Sequence, residues 1–399
     1  MSRDYATAVQ PLPLPVSERI ISATPYVWRV PSSIPPRQWV YGRQLLRGTV
    51  SVVVAPGATG KTALLTGTAL ALVTGRPVLG DEIWDGPKRV WVWNLEDSGE
   101  ELARGIQAAA MHWGIGAADI GDRLFVDSGL DGAELSIAST TRDGLVIHEP
   151  VIEALVTELI RRRIDVLVVD PFVSSHSVSE NDNGAIDTVA KLWAKVAVRA
   201  NCAIILVHHA RKMAGAEVSS ESARGAVSLT QAARSCIVLN RMSVEEAKDF
   251  GVEGDERRRF FRTYDDKNNR APPAITSTWY RLASVSLGNA PGGGDNMPVV
   301  VPWSPPDVFE RISVDDLEAV QARVASREWR SSDQSPEWVG HALAEVLQLD
   351  PNKPTDRRRI KTALSTWIRN GALKVEHRRD GSRQTRPFVV VGEPVVRDE

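Results

Sequence analysis

Val50-Ser51-Val52-Val53-Val54-Ala55-Pro56-Gly57-Ala58-Thr59-Gly60-Lys61-Thr62-Ala63 decides how this 399-residue chain is read. It begins as an apolar buried strand, continues through a glycine-containing turn and opens a helix at Lys61. Backbone N–H groups and a helix N-terminus then face an anion, so residues from Ala55 to Ala63 are expected to cradle phosphates. Lys61 would reach the outer phosphates and the Thr62 hydroxyl would hold Mg²⁺. The strict pattern starts with glycine where this chain has Ala55, a tolerable replacement if its φ stays negative. A glycine-rich turn with a chance Lys-Thr is the alternative, and the strand-turn-helix context disfavours it.

The flanking sequence alternates strand-like and helix-like segments from about Trp39 to Leu282, which predicts an α/β core with a mainly parallel sheet. Strands are expected at 50–54, 89–94, 165–169, 203–207 and 236–240, with helices at 62–74, 99–113, 151–163 and 185–200. Segments 259–265 and 276–282 look like antiparallel additions. Residues 1–38 are proline-rich and read as an extended arm. Residues 39–285 are the predicted core, and 286–306, rich in glycine and proline, a linker. Residues 307–399 show three helical patterns and a basic hairpin, the outline of a winged-helix-like α+β domain.

The formal net charge is −2, so no global excess of positive charge announces a nucleic-acid binder. From Lys353 to Arg386, however, 11 Lys/Arg stand against three acids, which is +8 and leaves −10 elsewhere. That asymmetry suggests a small basic module on an acidic body. Cys202 and Cys236 sit in apolar runs and are expected as buried thiols, not as a disulfide or metal site. Neither a leader pattern nor an apolar window long enough for a membrane span is visible, so a cytoplasmic protein with no membrane partner is expected.

Other strand ends narrow the chemistry. Val166-Leu167-Val168-Val169-Asp170 ends in a carboxylate suited to positioning Mg²⁺. Pro171 follows it, where enzymes of the AAA+ branch usually carry a glutamate. Glu96 ends a second strand and is the expected general base for water, although it or Asp97 could instead cap the helix near Gly99, as could Ser98. His208-His209 closes a further strand. No Asn-Lys-x-Asp guanine-reading motif occurs, which favours ATP over GTP.

Asn94-Leu95-Glu96-Asp97, the run from Asn201 to Lys212, Ser222-Ala223-Arg224-Gly225, the run from Ser243 to Val252 and Arg258-Arg259-Phe260-Phe261 together resemble the plasmid RepA-type hexameric replicative helicases. More broadly, they resemble the RecA/DnaB ring ATPases. The resemblance covers about Trp39 to Leu282 and implies a RecA-like fold, ATP and Mg²⁺ as cofactors, a hexameric homo-oligomer and single-stranded DNA as partner. It makes Glu96 the catalytic carboxylate and His209 the γ-phosphate sensor. It makes Arg234 an arginine finger entering the neighbouring subunit's site and Lys267 a second basic residue of that kind, with Arg270 a possible partner. Arg211 and Lys212 would grip the strand backbone from a channel loop.

The C-terminal module departs from small plasmid helicases, which end soon after the core. Its basic helix, with Arg357, Arg358, Arg359 and Lys361, is expected to enter duplex DNA, unless it docks protein or is merely a solvated face. The resulting expectation is an ATP-driven helicase of a mobile element. A non-translocating loader or recombination mediator and an ATP-gated DNA-binding regulator stand as the alternatives.

Overall fold

The structure, a computed structural model, describes residues 22–210, 217–219, 227–271, 277–306, 312–379 and 384–393. The chain divides into two compact units, Met1–Arg37 and Gln38–Glu399. In the first, the described residues 22–37 are exposed and carry a single 3-10 turn, Pro31–Ser33.

The second unit opens with a two-stranded ribbon, β1 (Trp39–Tyr41) and β2 (Leu45–Leu46), and then enters the main sheet at β3 (Val50–Pro56). From there, α1 (Lys61–Thr74), β4 (Val90–Asn94), α2 (Gly99–Trp113), α3 (Ala117–Ile120) and β5 (Leu124–Ser128) follow. A small antiparallel pair, β6 (Ala138–Thr141) and β7 (Gly144–Ile147), precedes α4 (Glu149–Arg162), β8 (Val166–Asp170), α5 (Asn183–Ala200) and β9 (Ala203–Ala210). Next come α6 (Val227–Ala232), β10 (Ser235–Arg241), α7 (Val244–Phe250), β11 (Phe260–Asn268), β12 (Thr278–Ser286) and β13 (Asn296–Pro302).

Nine strands form one sheet in the order β13-β12-β11-β10-β3-β9-β8-β4-β5. The six from β10 to β5 are mutually parallel, and the three beyond β10 are antiparallel. The α/β core with a mainly parallel sheet expected from the sequence is the fold observed. Apolar residues on both sheet faces explain it: Val52, Val54, Leu167 and Leu206 pack toward α4 and α5, whereas Val53, Val168, Ile205 and Val207 pack toward α1 and α2. Cys202 and Cys236 are buried free thiols, each pushed up to about 12, chiefly by burial. No helix among the described residues is long and apolar enough to cross a membrane.

Residues 286–306 are not a linker. Gly292, Gly293 and Gly294 all have positive φ and turn the chain back, so that β13 pairs with β12 from Ser286↔Asn296 to Tyr280↔Pro302. Pro298 and Pro302 are compatible with a strand because β13 is the sheet's edge, where a missing N–H need cost no ladder bond. Val299 and Val300 are buried in the core shared with α1 and α2.

The remaining module contains α8 (Val314–Ala325), β14 (Trp329–Arg330), α9 (Gly340–Leu347), α10 (Pro354–Arg369), β15 (Leu373–Arg379) and β16 (Thr385–Val391). Its antiparallel sheet has the order β14-β16-β15. A separate core built on Trp329, Trp338, Leu343, Ile360, Trp367 and Val389 holds it together.

Candidate nucleotide site

The C-terminal ends of adjacent parallel strands assemble the site, where open α/β sheets bind ligands. Ala55 lies opposite His209 in the β3–β9 register, and Asn94 lies opposite Asp170 between β4 and β8. One edge therefore carries the loop, the second-strand carboxylate, the buried acid and the histidine.

The loop itself has a defined backbone. Ala55 is not among the positive-φ residues, which satisfies the requirement for alanine there, whereas Ala58 (φ 57°) and Gly60 (φ 102°) are left-handed. A Cβ on Gly60 would also come within 3.2 Å of Leu282 and Phe261, so this glycine answers both a conformational and a packing demand. The Thr59 hydroxyl donates to Pro56 O at 2.8 Å across the turn. The first helical bond runs from Leu64 N to Gly60 O, which leaves the N–H groups of Lys61, Thr62 and Ala63 at the open end of α1. From outside, Arg241 at the end of β10 donates Nη2 to the carbonyls of Gly57 and Ala58. Spacing along the chain does not single out Arg241, because only the sheet order places β10 beside the loop strand β3.

Lys61 is buried, and its Nζ lies 2.9 Å from His209 Nδ1. An ammonium can only donate, so Nδ1 accepts and the imidazole proton resides on Nε2. That Nε2 lies 3.4 Å from Glu96 Oε2 without making a hydrogen bond, and a ring whose Nδ1 is unprotonated carries no charge to pair with the carboxylate. Burial and then the nearby Lys61 charge depress the His209 pKa, with Glu96 and Glu180 opposing. Burial likewise lowers Lys61, against the pull of Asp170 and Glu96. Asp170 is pushed up to about 6 by burial, opposed by Lys61 and assisted by Glu96 and Asp97.

Asn94 organises the carboxylate turn. Its buried Oδ1 accepts from the backbone N of Glu96 at 2.8 Å and of Asp97 at 2.7 Å, and Leu95 N donates to Asp170 O. The Ser98 hydroxyl, not Glu96 or Asp97, caps α2 by accepting from Glu101 N. The capping alternative for Glu96 is thereby removed, and its side chain stays half-exposed at the mouth of the site. Thr62 and Asp170 line one small cavity together with Asn94. Hydroxyl and carboxylate oxygens are the donor types Mg²⁺ takes, so the pair fits that ion. A groove of about 350 Å³ runs on from Thr62 past Thr66, Asp97, Glu101 and Gly105 to Met297 and Pro298. Strand β13, read from sequence as linker, forms one of its walls.

Other sequence-predicted residues are not at this edge. Arg234 immediately precedes β10 and is exposed; its N donates to Val50 O at the start of β3, the end opposite the loop. Lys267 donates Nζ to Thr230 O at 2.8 Å and Gln231 O at 2.9 Å, closing the C-terminal end of α6 within its own chain. Arg211 and Lys212 lie outside the described residues.

The basic helix α10 does not present its charges as an open row. Arg357 donates to Asp333 and Pro351 carbonyls and lies 4.7 Å from the Trp338 ring centroid. Lys361 pairs with the Asp333 carboxylate, and Arg358 lies 4.5 Å over the Phe250 ring and 3.9 Å from Asp249, both on α7. Arg359 is also engaged. Of the four residues expected to meet duplex DNA, three thus also touch protein partners, the Trp338 and Phe250 rings and the acids Asp333 and Asp249.

Residues 21–215 match the family model described as AAA domain, a little under half of the chain. A solved structure described as "Crystal structure of the RadB recombinase" is similar at 16% identity over 59% of this chain and 88% of that one, with a TM-score of 0.38. An overlap that loose carries no functional weight. The residue after Asp170 is Pro171, and Glu96 follows the end of β4 by two residues. Taken with the match over residues 21–215, the loop geometry gives the core the features of a P-loop nucleotide-binding domain.

Proposed function

We propose that the chain is a ring-forming, ATP-driven DNA translocase of helicase type. The observation carrying this reading is the Lys61–His209–Glu96 series, because it joins the phosphate-binding cation, the expected sensor and the expected base in one line. The β- and γ-phosphates would compete with His209 for the Lys61 ammonium. Once displaced, His209 keeps its Nε2 proton and can donate it to a γ-phosphate oxygen. Glu96 would orient a water and take its proton as the water oxygen attacks the γ-phosphorus; the bond to the ADP oxygen breaks, and Lys61 offsets the charge left on that oxygen. Thr62 and Asp170 would hold Mg²⁺, which supplies further charge neutralisation. The nucleoside would lie along the groove between α2 and β13.

Coupling to DNA follows from what comes after His209. Strand β9 ends at Ala210, and the RepA-type resemblance assigns the next segment, with Arg211 and Lys212, to strand binding. Arg234 supports a shared site, since it lies at the end of β10 remote from its own loop and could act only on a neighbour's nucleotide. Strand displacement on a forked duplex, with Glu96→Gln as control, tests the reading. ATP hydrolysis stimulated by single strands but no displacement would transfer the assignment to a loader or mediator; no stimulation would remove DNA translocation altogether.

A further inference from the structure

We propose that the outer face of the C-terminal three-stranded sheet, and not its basic helix, is a binding surface for the phosphodiester backbone of nucleic acid. Register fixes which residues share this face. Arg330 pairs with Phe388, Phe388 with Glu376, and Arg386 with Arg378, while Lys374 lies opposite Val390. Directly paired residues and those two apart point the same way, so Arg330, Arg386, Arg378 and Lys374 all stand on one side. On the other side Trp329, Val389 and Leu373 pack into the module's core.

The face is built rather than loosely charged. The Arg330 guanidinium lies 4.4 Å over the Phe388 ring, which fixes its plane, and its Nε is 4.0 Å from Glu337. Beside it, Arg330, Ser332, Gln334, Ser335, Arg386 and Pro387 line an open cleft of about 310 Å³. Two guanidinium groups, two hydroxyls and an amide are donors suited to phosphate oxygens. The loop that supplies Ser332, Gln334 and Ser335 also contains Asp333, but that carboxylate turns away onto Arg357 and Lys361. One residue choice thus removes the acid from the cleft and occupies the helix cations. Charge continues past the cleft to Arg378 and Lys374, where Arg378 is bonded to Glu376 at 2.6 Å and lies 3.8 Å from Glu328. A track of that length suits a polymer of phosphates better than a single ion.

The inference is independent of the translocase reading, and the full-length chain tests it. Anisotropy of a short labelled duplex is followed against salt without nucleotide. Arg386→Glu with Lys374→Glu should weaken binding by about tenfold or more and flatten the salt dependence by about two phosphate contacts. Arg358→Ala with Lys361→Ala should stay within about twofold of the parent on the same scale. Arg386→Gln, which preserves more of the local hydrogen bonding, should weaken binding in the same direction if the charge reversals disturb folding. Parental affinity in the sheet variants, loss confined to the helix variant, or no duplex binding by the parent at low salt would each overturn the proposal. So would release of duplex by inorganic phosphate at matched ionic strength, which marks a free-anion site. ATP hydrolysis stimulated by single strands, read in parallel, should be unchanged in the sheet variants, so this surface and the core reading fail separately.

Discussion

Lys61 Nζ is held 2.9 Å from His209 Nδ1, so the cation expected to meet the outer phosphates is already hydrogen-bonded to the expected sensor of those phosphates. Substitutions along this line should separate binding from chemistry. Lys61→Ala should lose both nucleotide binding and turnover. Glu96→Gln should bind ATP normally while hydrolysis falls by about 10²-fold or more, the scale of a lost general base. His209→Ala should bind at least as well as the parent, since Lys61 is released, yet lose DNA-stimulated turnover. Equilibrium binding of a fluorescent nucleotide, beside steady-state hydrolysis, distinguishes the three; normal turnover in Glu96→Gln would move the base to Asp97.

Arg241 gives a second prediction, because its guanidinium holds the carbonyls of Gly57 and Ala58 from outside the loop. Arg241→Ala should weaken nucleotide binding by roughly tenfold, the worth of charge-assisted hydrogen bonds lost from a preorganised loop. Its kcat should change less than its KM. A fall in kcat at unchanged KM would instead place Arg241 in the chemical step.

Arg234 tests the composite site. Arg234→Ala should bind ATP and hydrolyse it poorly, and mixing it with Lys61→Ala should restore part of the activity. In a mixed ring, one interface would combine an intact loop with an intact Arg234. Demonstrated co-assembly with no recovery would refute a shared site. Lys267→Ala, by contrast, should lower stability, since this side chain closes the end of α6 in its own chain.

The parts of the fold legible in sequence were those where a local pattern and its tertiary role coincide. The Val50–Val54 run, the helix 99–113 with Ser98 before it and Gly114 after it, and the strand ending at Asp170 all have apolar patterns bounded by their own punctuation. Strand β13 was hidden because proline and glycine locally mean turn or linker, and only its edge position makes Pro298 and Pro302 acceptable. The site was legible wherever a residue ends a strand. Arg241 and the groove wall of Met297 and Pro298 depend on long-range sheet order, which spacing along the chain does not report. The charge of α10 was plain, but its engagement by Asp333, Trp338 and α7 requires the packed structure.

Two buried histidines predict a pH dependence of stability. His176 and His208 are each depressed to about 4, first by burial. The unfolded chain, with histidines near 6.5, therefore binds more protons between those values than the folded chain does. The contribution of these two histidines is fully present above about 6.5 and is lost as pH falls toward 4, offset in part by Asp170, whose carboxyl raised to about 6 acts in the opposite direction. Thermal melting should track this fall, and His176→Gln combined with His208→Asn should flatten it in that window. An unchanged slope in the double variant would assign the acid sensitivity to other groups.

The contact between α7 and α10 supplies the last prediction. Gly251 terminates α7 with φ 71°, and a Cβ there would come within 2.8 Å of Thr355 Cγ2 on α10. Gly251→Ala therefore meets both a left-handed backbone penalty of about 1–2 kcal/mol and a steric clash at the joint. Arg358 contributes in a different way: its ion pair with Asp249 is half-exposed and long, so most of its effect should come from the Phe250 ring, at about 0.5–1 kcal/mol. A double-mutant cycle of Arg358→Ala with Phe250→Ala should show coupling of that size, whereas Arg358→Ala with Asp249→Ala should show little. Hydrogen exchange should rise at the start of α10 in Gly251→Ala and remain unchanged in α1. Faster exchange in α1 would mean that the strain passes through Ser243, Met242 and Arg241 to the phosphate loop, and the joint would then act on the nucleotide site rather than merely hold the C-terminal module.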